Sequence, residues 1–172
     1  NDTQSAINYL TKFAKLMRQT LENSTEKEIS LHDDISLIKT YLDIENKRFN
    51  DRFTYRINID PEIDADNTLV PPLILQPFIE NSIIHGFEGK KEKGHIDINI
   101  SKIDDMIICT VDDNGIGRQN NTNKNKKSFG MKITKSRIDI INQIKDSSGD
   151  IKVIDKDKGV KVIVSFPLEL AF

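Results

Sequence analysis

At Phe53 the spacing of apolar residues changes from three-and-four to two, and that change divides the 172-residue chain into a helical beginning and a sheet-forming remainder. Before it, Ala6, Leu10, Phe13, Met17 and Leu21 predict one helix with an apolar stripe. A polar break over residues 22–28 follows. Ser30-x-x-Asp33 then resembles a capping box, in which side chains satisfy free backbone N–H groups at a helix start. Leu31, Ile35, Ile38, Leu42 and Phe49, with Tyr41 and Ile44 beside them, predict the second helix. Two such helices cannot bury their stripes alone, so they must pack on each other, on the rest of the chain or on a second copy.

From Phe53 onward, Phe53, Tyr55, Ile57 and Ile59 alternate with Thr54, Arg56, Asn58 and Asp60, as a half-buried strand does. Asp60-Pro61 and Pro71-Pro72 punctuate the chain. Pro77, tolerated in a first turn, predicts a helix running to Gly86. Residues 95–101 and 106–112 alternate again, joined by Asp104-Asp105. Residues 118–127 hold no hydrophobic anchor and read as a loop. A helix is predicted from about Gly130, with Ile133, Ile140, Ile141 and Ile144 on its buried side. A hairpin over 150–155 and 160–166, turning at Lys158-Gly159, closes the chain. Five strands with helices on one face make an α+β fold, a two-layer α/β sandwich preceded by two helices.

Composition narrows the function. With 25 Lys+Arg against 27 Asp+Glu, the net charge of −2 lacks the basic excess of a non-specific nucleic-acid binder. The single cysteine, Cys109, excludes an internal disulfide framework and a multi-cysteine zinc site. No apolar run approaches the roughly 18 residues of a membrane-spanning helix.

Three segments carry possible chemistry. Asp112-Asp113-Asn114-Gly115-Ile116-Gly117 closes a strand and opens the polar loop. Glycines one residue apart let the backbone approach a flat ligand, and an aspartate at the strand end can accept from an exocyclic amine such as that of adenine. Asn-Gly is equally a hairpin turn, although the loop behind it is longer than the usual four to six residues or so. That loop holds Arg118, Lys124, Lys126 and Lys127 with no acid, bounded by Gly117 and Gly130. It reads either as a basic lid over a polyphosphate or as a plainly solvated loop. In Glu80-Asn81-Ser82-Ile83-Ile84-His85-Gly86, Asn81 and His85 are four apart and share a helix face with Glu80 on its flank. An amide oxygen suits Mg²⁺ and a neighbouring carboxylate can orient water, while a polar helix surface would look similar.

Taken together, residues 53–168 resemble the Bergerat-type ATP-binding domain shared by histidine kinases, DNA gyrase, the ninety-kilodalton heat-shock chaperones and MutL. Glu80-Asn81 to His85-Gly86 resembles its N box, Asp113-x-Gly115-x-Gly117 its first glycine box, and Ser128-Phe129-Gly130-Met131 its second. The finer resemblance is to the LytS-like (YehU-like) branch of bacterial sensor histidine kinases. It rests on Pro71-Pro72-Leu73-Ile74-Leu75-Gln76-Pro77 and on Tyr41-Leu42-Asp43-Ile44-Glu45-x-x-Arg48-Phe49.

This resemblance implies that Asp113 binds the adenine amine, with Gly115 and Gly117 shaping the base pocket. It implies that Asn81 holds Mg²⁺ and that Glu80 acts as the water-orienting or basic catalytic group. His85, Lys127, Gly130 and Met131 then approach the phosphates of ATP. It further implies a helical remnant of the dimerisation and phosphotransfer region over 1–50 and the ATP-binding catalytic domain over 51–172. The phosphoacceptor histidine is expected upstream of this chain, since His32, His85 and His95 lack the expected context. The implied setting is the cytoplasmic part of an inner-membrane protein, a homodimer in full length. It has a response regulator, often of LytTR type, as partner, and touches no nucleic acid directly.

The sequence departs from that family at Ser128, where glycine is usual, at Ile84, where lysine is usual, and at Gly159-Val160, where Gly-Thr is common. These departures favour a second expectation, a catalytically weak pseudokinase acting as a dimerisation and signalling scaffold. A serine/threonine kinase of the anti-sigma type fits the Pro71 to Asn81 segment less well.

Overall fold

A computed structural model describes residues 2–118 and 129–171. In chain order the elements are α1 (Asp2–Ser24), β1 (Ile29–Ser30), α2 (Leu31–Arg48), β2 (Phe53–Ile59), β3 (Thr68–Val70), α3 (Gln76–Asn81), β4 (Gly94–Ile103), β5 (Met106–Asp113), α4 (Phe129–Lys145), β6 (Ile151–Asp155), β7 (Val160–Pro167) and β8 (Glu169–Leu170). They fall into two compact units, one of Asn1–Arg52, Asp64–Leu73 and Glu169–Phe172, the other of Phe53–Ile63 and Ile74–Leu168.

In the first unit the Ser30 hydroxyl accepts the Asp33 N–H at 3.1 Å and starts α2, as the sequence predicts. Helix α1 meets α2 through Leu16, which clusters with Leu37 and Ile44 and is flanked by Tyr9, Tyr41 and Leu73. The predicted stripe of α1 is a different one: Leu10, Phe13, Met17 and Leu21 stay exposed. Periodicity finds apolar faces on a helix, but it cannot say which of two the neighbouring helix uses. Strands β1, β3 and β8 form an antiparallel sheet, with Ile29 opposite Val70 and Thr68 opposite Leu170. At two or three residues each they are too short to show alternation, and the sequence does not announce them. The buried Asp34 carboxylate accepts the Leu73 N–H at 3.0 Å, where Leu73 takes a left-handed φ of 60°.

The second unit is a five-stranded mixed sheet in the order β2-β4-β5-β7-β6, with β2 and β4 parallel and the remaining pairs antiparallel. One face carries Ile96, Ile98 and Ile100 of β4, Ile107, Cys109 and Val111 of β5, and Val162, Val164 and Phe166 of β7, all buried. Helices α3 and α4 add Phe78, Ile79 and Ile138 to that core. The other face is a polar ladder, in which Arg56 donates to Asp97 at 2.7 Å and Asn58 to Asn99 at 2.8 Å across β2 and β4. The α+β two-layer arrangement is therefore as the sequence predicts. No helix among the described residues is long and apolar enough to cross a membrane.

Helix α4 corrects one expectation. Ile133, Ile140 and Ile144 face outward, at 46, 54 and 74% exposure, while Thr134 and Ile138 are buried. The inner row is Gly130, Thr134, Ile138 and Ile141, also at helical spacing. Two isoleucine rows compete, and the one headed by a glycine wins because only a residue without a side chain fits where α4 starts. A Cβ on Gly130 would lie 2.9 Å from Cβ of Pro77.

That register is testable. Ile138→Ala should cost about 3 kcal/mol of unfolding free energy, whereas Ile144→Ala should stay within about 0.5 kcal/mol, by denaturant titration. A pH effect follows at the end of α4. The Ile151 N–H, followed by the Lys135 ammonium, holds the Asp150 carboxyl below its usual range, and hydrogen bonding to Asp139 and then Asp150 raises Lys135. A lowered acid contributes fully above its unfolded value near pH 4 (about 3.9) and is lost as pH falls through the folded value. A raised lysine contributes fully below about pH 10.4 and is lost as pH rises through its folded value. Asp150→Asn should thus flatten the acid limb of stability below about pH 4 in melting experiments, by a small amount because both groups are half-exposed.

Candidate functional site

Strand β5 delivers the central group. Its inward row runs Ile107, Cys109, Val111, Asp113, so period two turns the Asp113 carboxylate into the core and Asp112 to the opposite face. There Asp112 pairs with Lys156 and lies 4.0 Å from Lys161. Asp113 is only 5% exposed and accepts three hydrogen bonds. Its Oδ1 receives the Gly115 N–H at 2.8 Å and the Val160 N–H at 3.1 Å, and its Oδ2 receives the Ser82 hydroxyl at 2.7 Å. A buried carboxylate is tolerated only when so satisfied.

Two glycines permit that approach. A Cβ on Gly115 would come within 2.6 Å of the Gly86 carbonyl oxygen. Gly159 has a φ of 84°, and a Cβ there would overlap the Asp113 carbonyl oxygen. The Ile116 N–H donates to the Gly86 oxygen at 2.8 Å, tying the glycine turn to the end of the α3 segment. Asn114 fixes the turn from the other side, its side-chain oxygen accepting the His95 N–H at 2.7 Å. The turn is therefore built into the unit at both edges.

Helix α3 carries the second segment. Pro77 stands in its first turn, and the helix continues to Gly86 as one π-helical turn, Ser82–Gly86. The Ser82 hydroxyl also lies 3.1 Å from the Phe78 oxygen, a contact that competes with the regular backbone ladder at the point where it widens. Glu80 is half-buried and accepts from Gln76 at 3.2 Å, Asn81 is exposed, and His85 is half-buried with a buried Nδ1 that lacks a hydrogen-bond partner among the described residues.

The structure thus brings Ser82 and Gly86, of the segment that carries Glu80, Asn81 and His85, against Asp113 and Gly115, with Gly117 near the Gly159 backbone. Gly130 rests against Pro77 at the opposite end of α3, with Met131 half-buried beside it. Lys124, Lys126, Lys127 and Ser128 lie outside the described residues. Arg118, read from sequence as part of the basic loop, sits 3.4 Å from Asp155, in ion-pair rather than hydrogen-bond geometry. The residue the sequence reading missed is Ser82. Its signal was present: Ser82 lies four residues after Phe78 and three after Ile79, a hydroxyl in phase with the apolar face of its helix.

A donor set for Mg²⁺ is narrow here. Among the described residues no group of three His, Cys, Asp or Glu side chains could hold a metal. One exposed amide oxygen at Asn81 beside the Glu80 carboxylate fits an ion held mainly by phosphate and water, which is how Mg²⁺ usually binds.

Backbone strain provides a check on the turn. Gly159→Ala should destabilise the chain by about 3 kcal/mol or more, since it adds overlap to an unfavourable φ. Gly89→Ala, with a φ of 71° and open space around it, should cost about 1–2 kcal/mol for the dihedral alone. Comparable losses at both positions would contradict the close approach to Asp113.

Residues 1–53 match the protein family described as histidine kinase. The sensor protein LytS of Staphylococcus epidermidis is 32% identical over 116 residues, which is 67% of this chain and 19% of that protein. The chain therefore spans about a fifth of the length of the curated relatives it matches. Among solved structures, the histidine kinase domain of a blue-light-activated histidine kinase from Erythrobacter litoralis superposes with a TM-score of 0.59 at 16% identity, over 92% of this chain and 74% of that one. The histidine kinase ThkA, solved in complex with the response regulator protein TrrA, gives a TM-score of 0.53 at 18% identity, over 94% of this chain and 48% of that one. By sequence over two thirds of its length, and by a fold shared with histidine kinase domains, the chain is homologous to the LytS-type sensor histidine kinases.

Proposed function

We propose that the chain is the catalytic part of a two-component sensor histidine kinase that binds Mg-ATP and passes its γ-phosphoryl group to a histidine. The observation that carries this reading is the buried Asp113 carboxylate, held by three donors and bounded by the Gly115 and Gly159 backbones. Such a group accepts a base amine in a fixed direction. Asn81 would hold Mg²⁺, which when bound offsets the phosphate charge, and Glu80 would orient water or accept the proton. His85, whose Nδ1 has no hydrogen-bond partner among the described residues, would meet phosphate oxygens. Gly130 and Met131 lie in the first turn of α4, whose free N–H groups suit an anion, and Lys127 would add charge from the preceding segment.

In the transfer, the bond between the γ-phosphorus and its bridging oxygen breaks as one to the histidine nitrogen forms, leaving ADP. Positioning and charge stabilisation supply the catalysis. The acceptor would come from outside these residues, because His32, His85 and His95 lack the sequence context expected of it. We extend the reading to a homodimer attached to the inner membrane by other segments, with residues 1–50 as part of the phosphotransfer region. Its partner would be a response regulator, possessing a LytTR-type domain; ThkA, of like fold, was solved with a response regulator.

ATP titration with and without Mg²⁺ tests the proposal. The chain should bind ATP with a magnesium-dependent gain. Asp113→Asn should weaken binding about 10–100-fold, the worth of a hydrogen bond to a charged group. Asn81→Ala should abolish the magnesium-dependent part. Absence of any magnesium-dependent binding by the unaltered chain would instead support the scaffold alternative that the Ile84 and Ser128 departures favour.

A further inference from the structure

We propose that Ser82 is a positioning residue for purine recognition, its hydroxyl deciding which lone pair of Asp113 is offered to the base. The inference rests on the reading of Asp113 as the adenine-binding group and goes beyond it. A carboxylate has about four acceptor positions, two on each oxygen. Oδ1 uses both of its positions, on the Gly115 N–H at 2.8 Å and the Val160 N–H at 3.1 Å. Oδ2 uses one, on the Ser82 hydroxyl at 2.7 Å. Among the described residues a single acceptor direction is left without a donor, on Oδ2, and it would take the exocyclic amine of a six-aminopurine.

Ser82 is itself only 4% exposed, so its hydroxyl is withdrawn from bulk solvent. It has one hydrogen and two acceptors, the Phe78 oxygen at 3.1 Å and Asp113 Oδ2 at 2.7 Å. The carboxylate is the nearer and stronger acceptor. The side chain therefore stands between the helix ladder and the base-reading group, and the helix sets where Oδ2 points. Val160 contributes only its backbone N–H to this carboxylate, so the third donor comes from Ser82.

The test compares ATP with purine riboside triphosphate, which carries hydrogen in place of the six-amino group, on the unaltered chain and on Ser82→Ala and Ser82→Thr. Ser82→Ala should weaken ATP about tenfold, the scale of one misdirected hydrogen bond to a charged group, and the analogue by less than about twofold. Ser82→Thr, which keeps the hydroxyl, should retain the original ratio. Equal weakening of both nucleotides, or none, in Ser82→Ala would overturn the proposal while leaving Asp113 as the base-binding group. Failure of the unaltered chain to bind ATP would overturn the nucleotide reading and this proposal with it. Should the alanine variant not fold, Ser82→Cys, similar in volume and a weaker donor, should give an intermediate ratio, and an unchanged ratio there would equally overturn it.

Discussion

The Asp113 carboxylate is where the second unit converges. Its three donors come from the π-helical turn that continues α3, from the glycine turn and from the start of β7, and none of these lies within the strand that carries it. A buried carboxylate missing one of them would leave an unsatisfied charge-bearing group in the core, at a cost of several kcal/mol or so. That constraint explains the neighbouring backbone. Gly159 must bend with positive φ to bring the Val160 N–H to Oδ1, and Gly115 must lie against Gly86 to bring its own. The site is thus held by obligatory hydrogen bonding rather than by apolar packing alone, which fixes the direction of the carboxylate.

Helix α3 transmits the same constraint along its length. Its first turn packs Pro77 against Gly130 at the head of α4, and Gly86, at the end of the π-helical turn that continues it, accepts the Ile116 N–H. Between them the ladder widens into a π turn at Ser82, where one hydroxyl reaches both the Phe78 oxygen and Asp113. A small irregularity in a helix therefore lies where the segment that carries Asn81 and His85 meets the buried Asp113 carboxylate. The polar ladder on the far face of the sheet serves a different end. Asp97 is desolvated, which alone would raise its pKa, yet hydrogen bonds from Arg56 and His95 outweigh that and hold it below the usual range. Asp112, one residue from Asp113, belongs to that outer face and is neutralised by lysines.

Much of this was legible before the structure. The change of period at Phe53, the alternation over residues 106–112 and the glycines one residue apart are all local signals, and each survives in three dimensions. The rows of α1 and α4 were not legible in the same way. Both helices carry two apolar rows, and hydrophobic periodicity weighs them alike. On α4 the choice fell to Ile138 because Gly130 must meet Pro77, a contact between residues more than fifty positions apart. Strands of two or three residues, such as β1 and β8, have no period to read.

The sequence alone determined the element types and the grouping of chemistry into three short segments, because these depend on spacing along the chain. The tertiary structure alone decided which segments meet. It joined Gly86 to Ile116, set Gly159 over the Asp113 carbonyl and brought Ser82 to Oδ2. Those pairings depend on the close approach of backbones remote in sequence, and the donors that satisfy a buried carboxylate are fixed only once the core around it has formed.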